Sequence, residues 1–344
     1  MFLRIKSNIE KTYNNYEIII INDGSEDDTL YVAEQFQEKY DCIKVIDMEN
    51  RGQGYSRNYA INFAQGDYIL FLDSDDFLEP VTLETAIERA TKDKSDLVVF
   101  DWKYYKTSNK VYQYVNRDKF FNKKMLIDEE CLELLSIKHY FTVNKLYSKK
   151  FLIENEIKYG EGYIYEDIEF WVKVSIKAKR VSLIHSPLYN VRISKTSTTK
   201  TNYDTDFHCN SYIKAIDAVM KITRGEKKAQ YYYLYKYLIQ KFFIYYNKRT
   251  SKEYKEKFIS EFVEKMSSVR LVDYNVSNKL VKLMFKFKVF ERRKIHCFKF
   301  IYFLYKQKKK YNKGKKYIKA KLKKMLSLFK KKTDIKKKII VFLW

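Results

Sequence analysis

Two groups of carboxylates in this 344-residue chain have the setting that chemistry needs. The first closes an apolar run of strand length, Tyr68-Ile-Leu-Phe-Leu-Asp-Ser-Asp-Asp76. Its Asp73 and Asp75 make a D-x-D pair, whose hard oxygens suit Mg²⁺ or Mn²⁺ shared with a diphosphate. The second, Glu166-Asp167, opens the amphipathic run Asp-Ile-Glu-Phe-Trp-Val-Lys-Val. Acids there also suit the dipole of a helix start, so this pair is not specific by itself. Arg57 adds a planar fork able to neutralise a diphosphate or to steady the acid cluster.

The elements that must carry these residues follow from the hydrophobic pattern. Tyr16-Glu-Ile-Ile-Ile-Ile-Asn-Asp23 is a second apolar run ending in a carboxylate. Such continuous runs suit parallel strands buried on both faces. Gly24-Ser25 turns the chain, and Ser25 with Asp28 fits a capping box for a helix over 26–40. A strand over Cys42–Asp47 and a helix over 50–65 precede the Asp73 strand. Strand, helix, strand, helix, strand predicts an α/β sheet, mostly parallel, with helices on both faces. In open sheets of this kind ligands bind where strands end, which is where Asp23 and Asp73 lie.

Together these motifs resemble glycosyltransferase family 2. The resemblance rests on Asn22-Asp23-Gly24-Ser25, Gly52 through Arg57-Asn58, Ala64 through Asp76, Val143-Asn-Lys-Leu-Tyr147, Glu166-Asp-Ile-Glu-Phe170 and Pro187-Leu-Tyr-Asn-Val-Arg192, in that order. It covers roughly residues 2–200. It implies the Rossmann-like GT-A fold and an inverting transfer from a nucleotide-diphosphate sugar, with UDP the expected nucleotide, to a glycan or lipid-linked acceptor. By the same resemblance Asp23 reads the pyrimidine base, Asp73 contacts the ribose or the metal, and Asp75 binds Mg²⁺ or Mn²⁺. Asp167 is the expected catalytic base, with Glu166 as the fallback. Arg192, in a Tyr-x-x-Arg segment, is a candidate diphosphate contact, and His185 a candidate metal ligand. Asn144-Lys145 falls near the acceptor side. The family normally opens with an apolar central strand. Met1-Phe-Leu-Arg-Ile-Lys instead resembles the helix that follows it, so that strand is expected to be missing. An upstream start, a truncated product and another segment filling the slot are the three readings.

Three regions are expected: a catalytic domain over 1–201, a helical region over 202–275 and a basic amphipathic tail over 276–344. From Lys279 onward the sequence holds 25 Lys or Arg against Glu291 and Asp334, about +23 of the formal +25. Aromatic and aliphatic residues are interleaved with these charges. Such a surface suits an anionic membrane interface, each basic residue adding about 1 kcal/mol. A cytoplasmic protein peripheral on the inner face of the cell membrane, acting in surface polysaccharide synthesis, is the expectation. The four cysteines are scattered, without metal spacing. No apolar run approaches a spanning helix of about 18 residues. Two other functions fit parts of the chain. The tail would suit nucleic acid, but no nucleic-acid motif accompanies it. A catalytically inactive, glycan- or partner-binding relative would suit the missing strand.

Overall fold

The computed structural model describes residues 12–106, 112–114, 123–127, 142–193, 203–222 and 248–267, with positions 131, 238, 242, 245 and 246. The chain divides into compact units Met1–Glu261 and Phe262–Trp344. The first is described below. The basic tail over 276–344 lies outside the described residues.

The Ile-rich run becomes β1 (Ile18–Asp23), which pairs in parallel with β2 (Ile43–Met48), Ile18 opposite Ile43 and Asp23 opposite Met48. Between them α1 (Thr29–Lys39) lays Phe36 on Ile43, with Ile18, Ile20, Val32 and Val45 around them. The expected capping box does not form. The Ser25 hydroxyl turns back to Asn22 Oδ1, and Asp27 accepts from the Thr29 amide at 3.0 Å. Ser25 is held by the strand end and cannot also cap the helix.

Helix α2 (Gln53–Phe63) leads to β3 (Tyr68–Leu70). β3 is not in the sheet of β1 and β2. It edges a seven-stranded sheet ordered β3, β8 (Lys145–Ser148), β5 (Leu97–Lys106), β9 (Arg180–Ile193) and β4 (Phe77–Leu78). β6 (Tyr112–Tyr114) joins β5, and β7 (Met125–Ile127) joins β9. Among the described strands β1 and β2 thus form a sheet of their own, apart from the one that β3 edges.

The α/β architecture is as expected, but the mostly parallel sheet is corrected to a mixed one. Parallel pairing is confined to β1–β2 and β5–β9. β8 enters between β3 and β5 and runs antiparallel to both. Apolar runs reveal that strands exist and are buried; they do not reveal which neighbour a returning strand meets. The long β9 pairs with β5 from Leu97↔Val181 to Lys106↔Ile193, with register shifts around Asp101. His185, Ser186 and Pro187 fall at this irregularity, a position where a strand tolerates proline.

Helices α3 (Thr82–Asp93), α4 (Lys149–Glu154) and α5 (Glu166–Lys177) complete the layers. Under the sheet, Phe71 meets Tyr147, Tyr159 and Phe170 at ring distances of 5.3–5.8 Å. Tyr159 stacks on Phe170 at 4.1 Å. Aromatic pairs of this kind add about 0.5–1.5 kcal/mol each beyond area burial. This cluster ties β3, which leads to the acid turn, to α5, which carries the second acid pair. Beyond β9 lie α6 (Asp206–Ile222) and α7 (Lys252–Ser267). Buried Phe242 stacks on Phe258 at 4.8 Å. Among the described residues no helix is long and apolar enough to cross a membrane.

Candidate active site

β3 ends at Leu70, and the chain turns through Asp73–Asp76, closed by the Asp76 amide donating to the Asp73 carbonyl at 3.0 Å. The turn is fastened from inside by Asp76, which is 4 % exposed. Its Oδ2 accepts from the Tyr189 hydroxyl at 2.7 Å and its Oδ1 from the Arg192 amide at 2.9 Å. Burial pushes the Asp76 carboxyl up to about 7, even though both hydrogen bonds favour its charged form. Arg192 Nε donates to the Asp75 carbonyl at 3.1 Å, and its guanidinium lies over Phe77 and Tyr105. Thus Arg192 braces the acid turn. The turn leaves Asp73, with 42 % of its side chain exposed, and half-buried Asp75 toward the outside.

Arg57, on α2, joins this turn to the second acid pair. Its Nη2 donates to Asp73 Oδ1 at 3.1 Å and its Nη1 to Glu166 Oε1 at 2.9 Å, while its guanidinium lies 5.1 Å from the Tyr159 ring centroid. Burial opposes its charge, but Tyr159 and the acids Asp73, Glu166 and Asp167 hold it protonated more firmly than usual. Its contact with Asp73 is the one that the expected steadying role would need.

Neighbouring residues fix Arg57 in place. Asn58 donates to the Tyr159 carbonyl at 3.0 Å and to Glu161 Oε1 at 2.7 Å, and accepts from the Tyr159 amide at 2.8 Å. Gly54 lies so close to the same loop that a Cβ there would sit 1.9 Å from the Gly160 carbonyl oxygen. Sequence reasoning did not single out Asp76, Asn58, Gly54 or Tyr159 as site-building residues. Asp76 and Asn58 stood inside quoted motifs, but their partners lie about a hundred residues away along the chain.

Glu166, Asp167 and Glu169 occupy the first turn of α5, where the helix dipole favours them. The Glu166 side chain is 13 % exposed. Burial, then the Asp167 charge, push its carboxyl above the usual range, and Arg57 opposes them. A carboxylate pair with a member raised in this way suits general-base work.

Asp23 ends β1 and accepts from the Arg51 amide at 2.8 Å and the Gly52 amide at 2.9 Å. It clamps the loop that leads into α2, whose Gly52 takes φ 84°. Each carboxylate oxygen keeps a lone pair beyond these bonds. His185 is not gathered with the acids. Its Nε2 meets the Lys123 carbonyl at 2.8 Å, and it stands five residues before Asn190, which is the β9 partner of Phe77. Lys145 is fully buried, bonding Asn144 Oδ1 at 2.8 Å and lying over Trp171.

Among the described residues no group of three or more His, Cys, Asp or Glu could hold a metal ion. Asp73 and Asp75 are the two carboxylates of the turn that could take a divalent cation. That set fits an ion completed by substrate phosphates and water, the usual habit of Mg²⁺.

Residues 4–155 match the family described as Glycosyl transferase family 2. The chain is 30 % identical over 198 residues to the cholesterol galactosyltransferase of Borreliella burgdorferi, covering 54 % of each protein. It is 28 % identical over 229 residues to the uncharacterized glycosyltransferase YibD of Escherichia coli, covering 64 % of this chain and 66 % of that one. The matched part is thus less than two thirds of either relative's length. The fold is similar to that of residues 1–349 of S. aureus TarS, solved with UDP-GlcNAc, at a TM-score of 0.68 and 19 % identity over 89 % of this chain and 87 % of that one. At that identity the likeness is one of fold. The matched segment, residues 4–155, and the likeness of fold agree in pointing to glycosyltransferase family 2.

Proposed function

We infer that this chain is an inverting glycosyltransferase. It moves a sugar from a nucleotide-diphosphate sugar, with UDP as the nucleotide, to a glycan or lipid-linked acceptor. The observation that carries this reading is the Arg57 bridge, which holds the acid turn and the Glu166-Asp167 pair on the two arms of one guanidinium. Donor and acceptor chemistry must meet within a few ångströms in a direct displacement, and this contact brings the corresponding residues together.

In this reading Asp23 receives the base and Asp73 the ribose. Asp75 and Asp73 would hold Mg²⁺ or Mn²⁺, which when bound offsets charge on the departing diphosphate. Arg57 holds Asp73 in place and tempers the repulsion between the two acid groups. Asp167, with Glu166 beside it, takes the acceptor hydroxyl proton as the new bond forms. Arg192 keeps the acid turn shaped for the diphosphate. The donor-bound relatives by fold and the galactosyltransferase among the sequence relatives support this assignment. The basic tail suits an anionic inner membrane face, where a lipid-linked acceptor for surface polysaccharide would be met.

Calorimetric titration of the chain with UDP, with Mn²⁺ and with EDTA, tests the donor site. Binding that needs Mn²⁺ and weakens at least about tenfold in Asp75→Ala is expected, as loss of an ion's ligand removes a charge-assisted contact. UDP binding that ignores both Mn²⁺ and Asp75 would overturn the metal assignment. No UDP binding under either condition would overturn the UDP-sugar reading.

A further inference from the structure

The residue just before the acid pair, Tyr165, takes φ 74° and ψ 24° at the start of α5. A left-handed backbone on a bulky residue is strained and persists only where its surroundings over-determine it. Those surroundings come from the helices that follow the catalytic fold. The Tyr165 hydroxyl lies 3.0 Å from His208 Nδ1, on α6. Its ring packs edge-on against Tyr212 at 5.7 Å and tilted against Tyr245 at 4.3 Å. Tyr165 is 9 % exposed, so its hydroxyl would be left without a partner in a buried setting if this acceptor were removed.

The far side of His208 is equally fixed. The Tyr203 ring lies 4.8 Å away, and Lys248 Nζ bonds the Tyr203 hydroxyl at 2.6 Å. The nearly buried Arg249 donates to the Tyr245 carbonyl at 2.9 Å and sits 3.6 Å over the Phe258 ring. Asp204 accepts from the amides of Thr250 and Ser251 at 3.0 and 2.8 Å. On the other side of Tyr165, Glu166 reaches Arg57 at once.

We propose that His208 is a positioning residue for the acid pair: by accepting the Tyr165 hydroxyl it holds the left-handed residue from which Glu166 and Asp167 project. The helical region is in this way part of the transfer machinery and not a separate appendage. This rests on the reading of Glu166-Asp167 as the base. The bond needs Nδ1 without its proton. Around the imidazole stand Tyr165, Tyr203, Phe207, Lys248 and Arg249; burial first, then the charges of Arg249 and Lys248, lower its pKa below the ordinary range and favour its neutral form.

The test compares the parent chain with Tyr165→Phe, His208→Asn and His208→Gln. Asn places an amide oxygen where Nδ1 stands, while Gln places its polar end where Nε2 stands. Two measurements are made on each: backbone hydrogen exchange over 160–168, and sugar transfer with UDP affinity recorded separately. Exchange is expected to rise at least tenfold in Tyr165→Phe and His208→Gln, and to stay near parent in His208→Asn. The same two variants are expected to lose tenfold or more in kcat, with unchanged UDP affinity and donor KM. Parent-like exchange in Tyr165→Phe would overturn the positioning contact. Raised exchange with parent-like kcat would overturn its role in transfer. A parent chain that binds UDP but transfers nothing would instead count against the proposed function, and the exchange measurement would still decide the contact.

Discussion

Arg57 Nη1 lies 2.9 Å from Glu166 Oε1 across 109 residues of sequence, and this one contact couples the helix before the acid turn to the helix that carries the second acid pair. The other arm of the guanidinium is on Asp73. Arg57→Ala leaves two partly desolvated carboxylates facing each other without their cation. A loss of about 1–3 kcal/mol in denaturant unfolding is expected, the usual cost of orphaning groups of this kind. Transfer should fall by about a hundredfold, since misplacing reacting groups by an ångström costs that much. Arg57→Lys should rescue stability more than rate, because an ammonium on a flexible stem cannot hold both acids in one plane.

The pH dependence of transfer follows from the same contact. Burial and Asp167 raise Glu166 above its ordinary range, and Arg57 pulls it down. The pair must shed a proton to act as a base, so kcat should rise with pH, with an acid-limb midpoint above that of an ordinary Glu. That midpoint belongs to the pair. In Arg57→Ala it should move to higher pH. A limb that stays put, in a kcat profile over pH 4–9, would separate Arg57 from the titrating group.

Asp76 makes a prediction about stability. Its folded pKa of about 7 exceeds the unfolded value of 3.8, so the folded state binds the proton more tightly. Between those values stability contributed by this group declines as pH rises, and above about 7 the cost is complete. Asp76→Asn should remove that slope in urea unfolding measured at pH 5 and pH 8. It should also cost about 1–3 kcal/mol, since one amide face then opposes a donor, either the Tyr189 hydroxyl or the Arg192 amide. Tyr189→Phe should cost less and keep the slope.

These residues show where sequence reading succeeds and where it stops. Apolar runs that end in acids marked Asp23 at the end of β1 and Asp73 just past β3, although Ile18–Ile21 and Tyr68–Leu70 are only half-buried and not covered on both faces. Arg57 was legible by type and position, but its role depended on Glu166, which no local pattern places beside it. Asp76 was one acid among several in a turn until Tyr189 and the Arg192 amide distinguished it. The antiparallel entry of β8 was hidden because direction and neighbour are tertiary facts. The Ser25 capping box failed because Asn22 competed for the same hydroxyl. His185 matched a ligand position by resemblance, yet it lies at the β9 irregularity beside Lys123.

Two glycines offer a contrast in the loop that Asn58 grips. A methyl at Gly54 would meet the Gly160 carbonyl oxygen at 1.9 Å, and backbone on either side is pinned by the Asn58–Tyr159 bonds. Neither the helix nor the loop can yield without breaking the junction that places Arg57 against Glu166. Gly54→Ala should therefore cost about 1–3 kcal/mol or more, the range for overpacking a fixed site. It should also depress transfer more than its stability loss explains. A methyl at Gly160 would meet the Tyr163 side chain, whose hydroxyl bonds Glu169 at the solvent-facing start of α5. A side chain can rotate where backbone cannot, so Gly160→Ala should cost less stability and lose less activity. Equal losses in the two variants, by thermal unfolding and transfer rate, would mean that the approach of α2 to this loop does not set the geometry of the acid pair.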